Sequence, residues 1–333
     1  MKKLALLVTV VAAASCNSSG SKAEPLDAGA PAVAPAPAPP PADPLEEAGL
    51  QRLSLTIDGA LELSMRNAVD SDVAAPLSQV TARLLVWWVD VRRDLRKGDK
   101  LDVIYDLPPG EEPLIHALRF YSNKNERDYR AYLFQPEGAR WPRYFQPTAE
   151  ELEERLEHGP IDEYQQVTSV LRDGRKHRGV DFKTPVGSPV KMPFDAHLTR
   201  KNWRFRGNGN CLEFRDSKSR RIIFLHLDEL PKDLAVGKTY RAGQLVARSG
   251  NTGHSTAPHL HYQLENAAGK VLDPYEVHQT YRARLEASQV PAFEATRARY
   301  DRMLEPDKAP APTPVASVPA AEPVPAPQAA AAP

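Results

Sequence analysis

Apolar positions recur with two different periods along this chain, and the change between them divides it. Leu61, Met65 and Ala68 fall at i, i+4 and i+7, the spacing of one helical face. A second helix is expected from Pro76, a good first-turn residue, through Leu77, Val80, Leu84, Trp87, Trp88 and Val91. The Trp pair on that stripe reads as core rather than as a ligand platform. After the turn Arg96-Lys97-Gly98-Asp99 the pattern becomes strand-like, at 101–105, 114–121 and 129–134. Residues 46–150 are thus expected to form an α+β domain, with no cluster of catalytic residue types.

From about 160 to 280 the chain consists of short β-type runs, at 212–214, 221–225, 244–247 and 259–264. Turn signals separate them: Gly187-Ser188-Pro189, Gly207-Asn208-Gly209, Gly243 and Gly250-Asn251-Thr252-Gly253. Regular spacing of short strands indicates an antiparallel sheet or sandwich. The fold class expected is a mainly β domain preceded by a smaller α+β domain. A closing helix is expected within 285–305, from Pro291 onward, with Phe293, Tyr300, Met303 and Leu304 on its apolar side.

Composition sets the two ends apart. Of 333 residues 32 are Pro, concentrated in Ala/Pro tracts over 17–45 and 306–333, which cannot bury enough apolar area to fold. Before the first tract, Lys2 and Lys3 precede an apolar stretch too short to span a bilayer. It ends in Ala13-Ala14-Ser15-Cys16, which resembles a bacterial lipobox with Cys16 as the lipidated residue; cleavage at an ordinary Ala-x-Ala-like site is the alternative. Either reading sends the protein out of the cytoplasm, and the first makes it a periplasmic, membrane-anchored protein with residues 17–45 as spacer. Lys+Arg equals Asp+Glu at 43 each, so charge gives no reason to expect a nucleic-acid partner. With Cys16 acylated, Cys211 is the only remaining thiol, and it reads as a small buried residue.

The candidate chemistry lies in the β-rich part. On a strand, His259 and His261 of His259-Leu260-His261 project from one face. His177 and Asp181 are four apart, which sets them on one face of a strand or of one helical turn. Two imidazoles and a carboxylate are a usual ligand set for catalytic zinc, and with His226, which lies between these motifs in the chain, two further imidazoles are then left for proton transfer. No HExxH, P-loop or GxGxxG motif is present.

The stretches HRGVDF, FLHL around His226, SGNTGHSTAPHLHYQL and VLDP together resemble the lysostaphin/LytM-type zinc endopeptidases of bacterial cell walls. The resemblance covers about 170 to 280 and carries roles position by position. It implies one zinc held by His177, Asp181 and His261, with His226 and His259 as the catalytic histidines outside the ligand set. Ile57-Asp58-Gly59-Ala60-Leu61 and Leu95 to Leu101 look like the domain that precedes catalysis in the Gram-negative murein DD-endopeptidase (MepM-like) subgroup. That subgroup implies peptidoglycan stem peptides as substrate and the D-alanyl–diaminopimelate cross-link as the bond cut. Two positions depart from the family. Val167 to Arg172 replaces its usual Ser-x-Phe-Gly-x-Arg stretch in one groove wall, and Gln263 stands where Glu is frequent, with little effect on metal binding expected.

Blander readings stand beside these. His116, His158, His197, His254 and His278 read as ordinary surface or core residues. The competing function is a catalytically silent LytM-type regulator that binds the wall and activates an amidase; a purely structural envelope anchor would leave the histidines unexplained. The 46–150 domain reads either as a gate over the groove or as a spacer.

Overall fold

The computed structural model describes residues 44–171, 173 and 177–305. The export signal with Cys16, the linker up to residue 43 and the tail from 306 lie outside the described residues. No helix among the described residues is long and apolar enough to cross a membrane.

Five strands form the first sheet in chain order, all antiparallel: Gln51–Thr56, Lys100–Asp106, Leu114–Ser122, Arg127–Phe134 and Arg143–Phe145. Both of its faces are covered. Val103, Leu118, Phe120 and Ala131 join the core that contains the helix Ser71–Leu85, while Ile104, Ala117 and Tyr132 pack with Phe293, Tyr300 and Met303 of the helix Val290–Leu304. Burial on two faces explains why adjacent positions such as Val103 and Ile104, or Ala117 and Leu118, are both apolar in the middle strands.

Pro76 does not open its helix. The helix runs Ser71–Leu85 with Pro76 inside it, and Trp87 and Trp88 lie in the turns beyond its end. An interior proline forfeits one backbone bond and costs about 3 kcal/mol. Complete burial of Leu77, Leu84 and Leu85, at roughly 1.5–3 kcal/mol each, outweighs that cost. The Trp pair is packed all the same: Trp87 meets Tyr275 edge-on at 5.3 Å and Trp88 stacks on Tyr129 at 5.2 Å.

The second sheet has eight strands, all paired antiparallel. Its central order is Asn210–Asp216, Arg221–Leu227, His259–Glu265, Val180–Lys183 and Gln166–Ser169. Leu260, Tyr262 and Leu264 turn inward against Val180, Phe182 and Phe224, which leaves the alternate positions 259, 261, 263 and 265 on the opposite face. The fold is mainly antiparallel β. Cys211 is buried in it as a free thiol.

Candidate metal centre

Register builds the site. The strand pair sets His261 directly opposite Asp181 and His259 directly opposite Lys183. His261 Nδ1 then lies 2.9 Å from Asp181 Oδ1. His177 comes from the loop before Val180–Lys183, and its Nε2 approaches to 3.2 Å from Asp181 Oδ2 and 3.0 Å from His261 Nδ1. One atom of each of these three side chains falls within 4.8 Å of the others, the only such His/Cys/Asp/Glu group among the described residues.

Hydrogen bonds behind the rings define their tautomers. Ser169 Oγ donates to Asp173 at 2.7 Å, so His177 Nδ1, 2.8 Å from the same oxygen, is the donor toward it. His261 Nε2 lies 3.3 Å from Gln263 Oε1, which only accepts. The inner nitrogens of both rings therefore carry lone pairs that converge on a carboxylate, three acceptors with no donor between them. Two ligands of a tetrahedral zinc ion sit about 3.3 Å apart, given metal–ligand lengths near 2.0 Å. The observed spacings of 2.9–3.2 Å fit such a cation.

His226 reaches this face by an irregularity. Leu225 pairs with His261, so strict alternation would send His226 to the side of Phe224. A left-handed φ of 59° at His226 breaks the alternation and brings its ring 4.8 Å from that of His259. Its Nδ1 donates to the Thr252 carbonyl at 2.9 Å, leaving Nε2 bare. Burial pushes its pKa down to about 4, with the Thr252 carbonyl pulling the other way, so the ring is neutral at pH 7. His259 is oriented likewise, Nδ1 donating to the Ala257 carbonyl at 2.8 Å while Nε2 lies 3.8 Å from Asp181 Oδ1.

Glycines make this convergence sterically feasible. A Cβ on Gly179 would come within 2.5 Å of the Tyr262 carbonyl oxygen and 2.8 Å of the His261 ring. Gly209 and Gly253, both at positive φ, interlock around Thr252, whose carbonyl holds His226. The site opens on a cavity of about 770 Å³ bounded by Asp181 and His259 on one side and by Glu112 and Tyr144 of the first sheet's region on the other.

Over residues 175–274 the chain matches Peptidase family M23. These residues form an M23 domain. The chain is 27% identical over 263 residues to the peptidoglycan DD-endopeptidase ShyA of Vibrio cholerae, covering 74% of this chain and 58% of ShyA. Over 92 residues it is 37% identical to lysostaphin of Staphylococcus simulans, which covers 27% of this chain and 18% of lysostaphin. Among solved structures, Csd3 of Helicobacter pylori aligns over 78% of this chain and 72% of its own, with 21% identity and a TM-score of 0.37. This chain spans a little over half the length of ShyA and of the related ShyB.

All five residues singled out in the sequence come together in the M23 domain: His177, Asp181 and His261 as one cluster, His226 and His259 beside it. The other histidines are elsewhere employed or outside the cluster; His278, for example, is buried against the Tyr262 hydroxyl at 2.8 Å. Sequence reasoning passed over Ser169, Gly179 and Thr252, and it did not anticipate the contact of Gln263 with the His261 ring. Only Gln263 carried a readable signal, since it follows His261 at the strand period of two.

Proposed function

We propose that this protein is a zinc-dependent peptidoglycan endopeptidase that hydrolyses the D-alanyl–diaminopimelate cross-link between stem peptides. The observation that carries the proposal is the convergence of His177 Nε2, the Asp181 carboxylate and His261 Nδ1, flanked by two imidazoles with bare Nε2 atoms. The M23 match and the likeness to ShyA support the same substrate.

His177, Asp181 and His261 would hold the ion. Bound there, zinc supplies an activated water near neutral pH and a Lewis acid for the scissile carbonyl. His226 and His259 supply the rest. Each is locked by an Nδ1–H bond to a backbone carbonyl, so each can accept a proton only at Nε2, on the side facing the cluster. A ring that has taken the proton from water can return it to the leaving amine, and while charged it steadies the developing oxyanion. The rings' 4.8 Å separation lets both face one reacting centre.

Mass spectrometry of products from cross-linked muropeptides tests activity and bond together. The protein should carry about one zinc per chain and release stem-peptide monomers. His261→Ala should lose both properties, and His226→Ala should keep zinc while losing turnover. Protein that binds zinc and stimulates an amidase, yet cuts no muropeptide, would instead be the LytM-type regulator; that all five side chains are in place favours the enzyme.

We also propose that Cys16 is acylated and that the protein acts in the envelope, tethered by residues 17–45. The support is the charged start, the short apolar stretch and Ala13-Ala14-Ser15-Cys16. Labelling with a fatty acid should mark the wild-type chain and miss Cys16→Ser.

A further inference from the structure

The cavity beside the histidine cluster contains a charge that the hydrolytic chemistry leaves unused. The strand Val180–Lys183 buries Val180 and Phe182, which turns Asp181 and Lys183 together to the opposite face. Lys183 stands directly across from His259, two pairs along from Asp181 and His261, with Phe182 and Leu260 between them turned to the other face. Lys183, Asp181 and His259 all line the cavity.

Two other cations line it, and both are committed. Arg83 forms a paired bond to Glu112, each arm 2.7 Å. Arg143 lies 3.3 Å from Glu151 and donates to the Tyr164 carbonyl at 3.2 Å. Among the described residues Lys183 has no carboxylate within 4.0 Å. Glu112 feels its charge from nearby, but that carboxylate is already matched by Arg83.

We propose that Lys183 anchors a free carboxylate on the residue that supplies the amine of the scissile amide. Two positions along a strand separate Lys183 from Asp181 by about 6.6 Å at Cα, and a peptide advances about 3.3–3.6 Å per residue. With its long flexible stem, the Lys183 ammonium can reach the residue next to a carbonyl held at the cluster. Diaminopimelate carries a carboxylate on the carbon bonded to the scissile nitrogen. A glycine bridge offers none there. The inference rests on the endopeptidase reading and narrows its substrate to an acidic amine-side residue.

Two synthetic cross-linked peptides test it on the full chain, one with that carboxylate free and one with it as carboxamide. Wild type should cut the free acid with kcat/KM at least about tenfold higher, mainly through KM, as expected for a charge-assisted bond. Lys183→Gln should bring the ratio near one by slowing only the free acid, and Lys183→Arg should restore part of it. No discrimination by wild type, or equal loss on both peptides in Lys183→Gln, overturns the anchor. If neither peptide is cut, the endopeptidase reading fails, and the Kd of each peptide for wild type and Lys183→Gln still decides the anchor by the same ratio.

Discussion

Gln263 Oε1 lies 3.3 Å behind His261 Nε2, on the side away from the candidate metal. The amide's own orientation is fixed, because its Nε2 donates to Glu265 Oε1 at 2.6 Å. Glu265 is held in turn by Arg178 at 2.6 Å and by Arg221. Alternation along one strand thus places His261, Gln263 and Glu265 in a row, and the row keeps Nδ1 of His261 bare. Set against the expectation that position 263 has little effect on metal binding, this row gives Gln263 a contact through which it can act on the His261 ring.

Gln263→Leu should therefore weaken zinc binding about 10–100-fold, the usual loss when the partner behind a metal-ligating imidazole is removed. Competition with a chelating dye measures it. An unchanged zinc Kd would show that the His261 tautomer needs no help from position 263.

Gly179→Ala should damage the same ligand from the other side. The added Cβ meets a backbone oxygen at 2.5 Å and the His261 ring at 2.8 Å, contacts that side chains do not tolerate. Either the ring or the loop carrying His177 has to move. Zinc affinity should fall tenfold or more, with about 1–3 kcal/mol lost in stability. A variant that titrates zinc and melts like wild type would mean that the loop shifts without cost.

The strand alternation of His259-Leu260-His261 was readable from the sequence, and so were most strands of the first sheet. What escaped has local causes. The strand Gln51–Thr56 is a short sheet edge with only Leu53 fully buried, too little signal to recognise. His226 joins the site through a single left-handed φ, which no periodicity encodes. The start of the helix Ser71–Leu85 was misplaced because Pro76 has a strong local preference that burial of Leu77 and Leu84 overrides. Ser169 touches His177 only because two segments meet in space.

Stability should depend on the protonation of Glu153. This carboxyl is buried beside the cavity, accepts the Val167 amide through both oxygens, and faces Glu151, Arg143, Arg155, Tyr144 and Tyr164. Burial raises its pKa from 4.5 to about 8, with the Val167 bond and the arginines opposing and Glu151 assisting. A folded pKa above the unfolded one means that this contribution is complete below pH 4.5 and is lost as pH rises through 8. Glu153→Gln keeps an acceptor for Val167 and cannot ionise. It should melt close to wild type near pH 5 and above it near pH 9, by on the order of a few kcal/mol at most. Parallel melting curves for the two proteins across that range would exclude the effect.

The two sheets should unfold together, which decides how the first region can be tested as a gate. Trp87 packs edge-on against Tyr275, and one apolar core joins Leu77 and Leu84 of the helix to Val180, Phe182 and Leu260 of the M23 domain. The helix Val290–Leu304, which follows the M23 domain in the chain, returns to the first sheet through Phe293. Cutting the chain near residue 150 would strip partners from both faces, so a fragment starting there should aggregate instead of reporting a liberated groove. Calorimetry of the intact protein should give one cooperative transition, and Trp87→Ala should lower it as a whole by about 3–5 kcal/mol. Two separated transitions, with only the earlier one moved by Trp87→Ala, would restore the picture of independent domains and make truncation a fair test of gating.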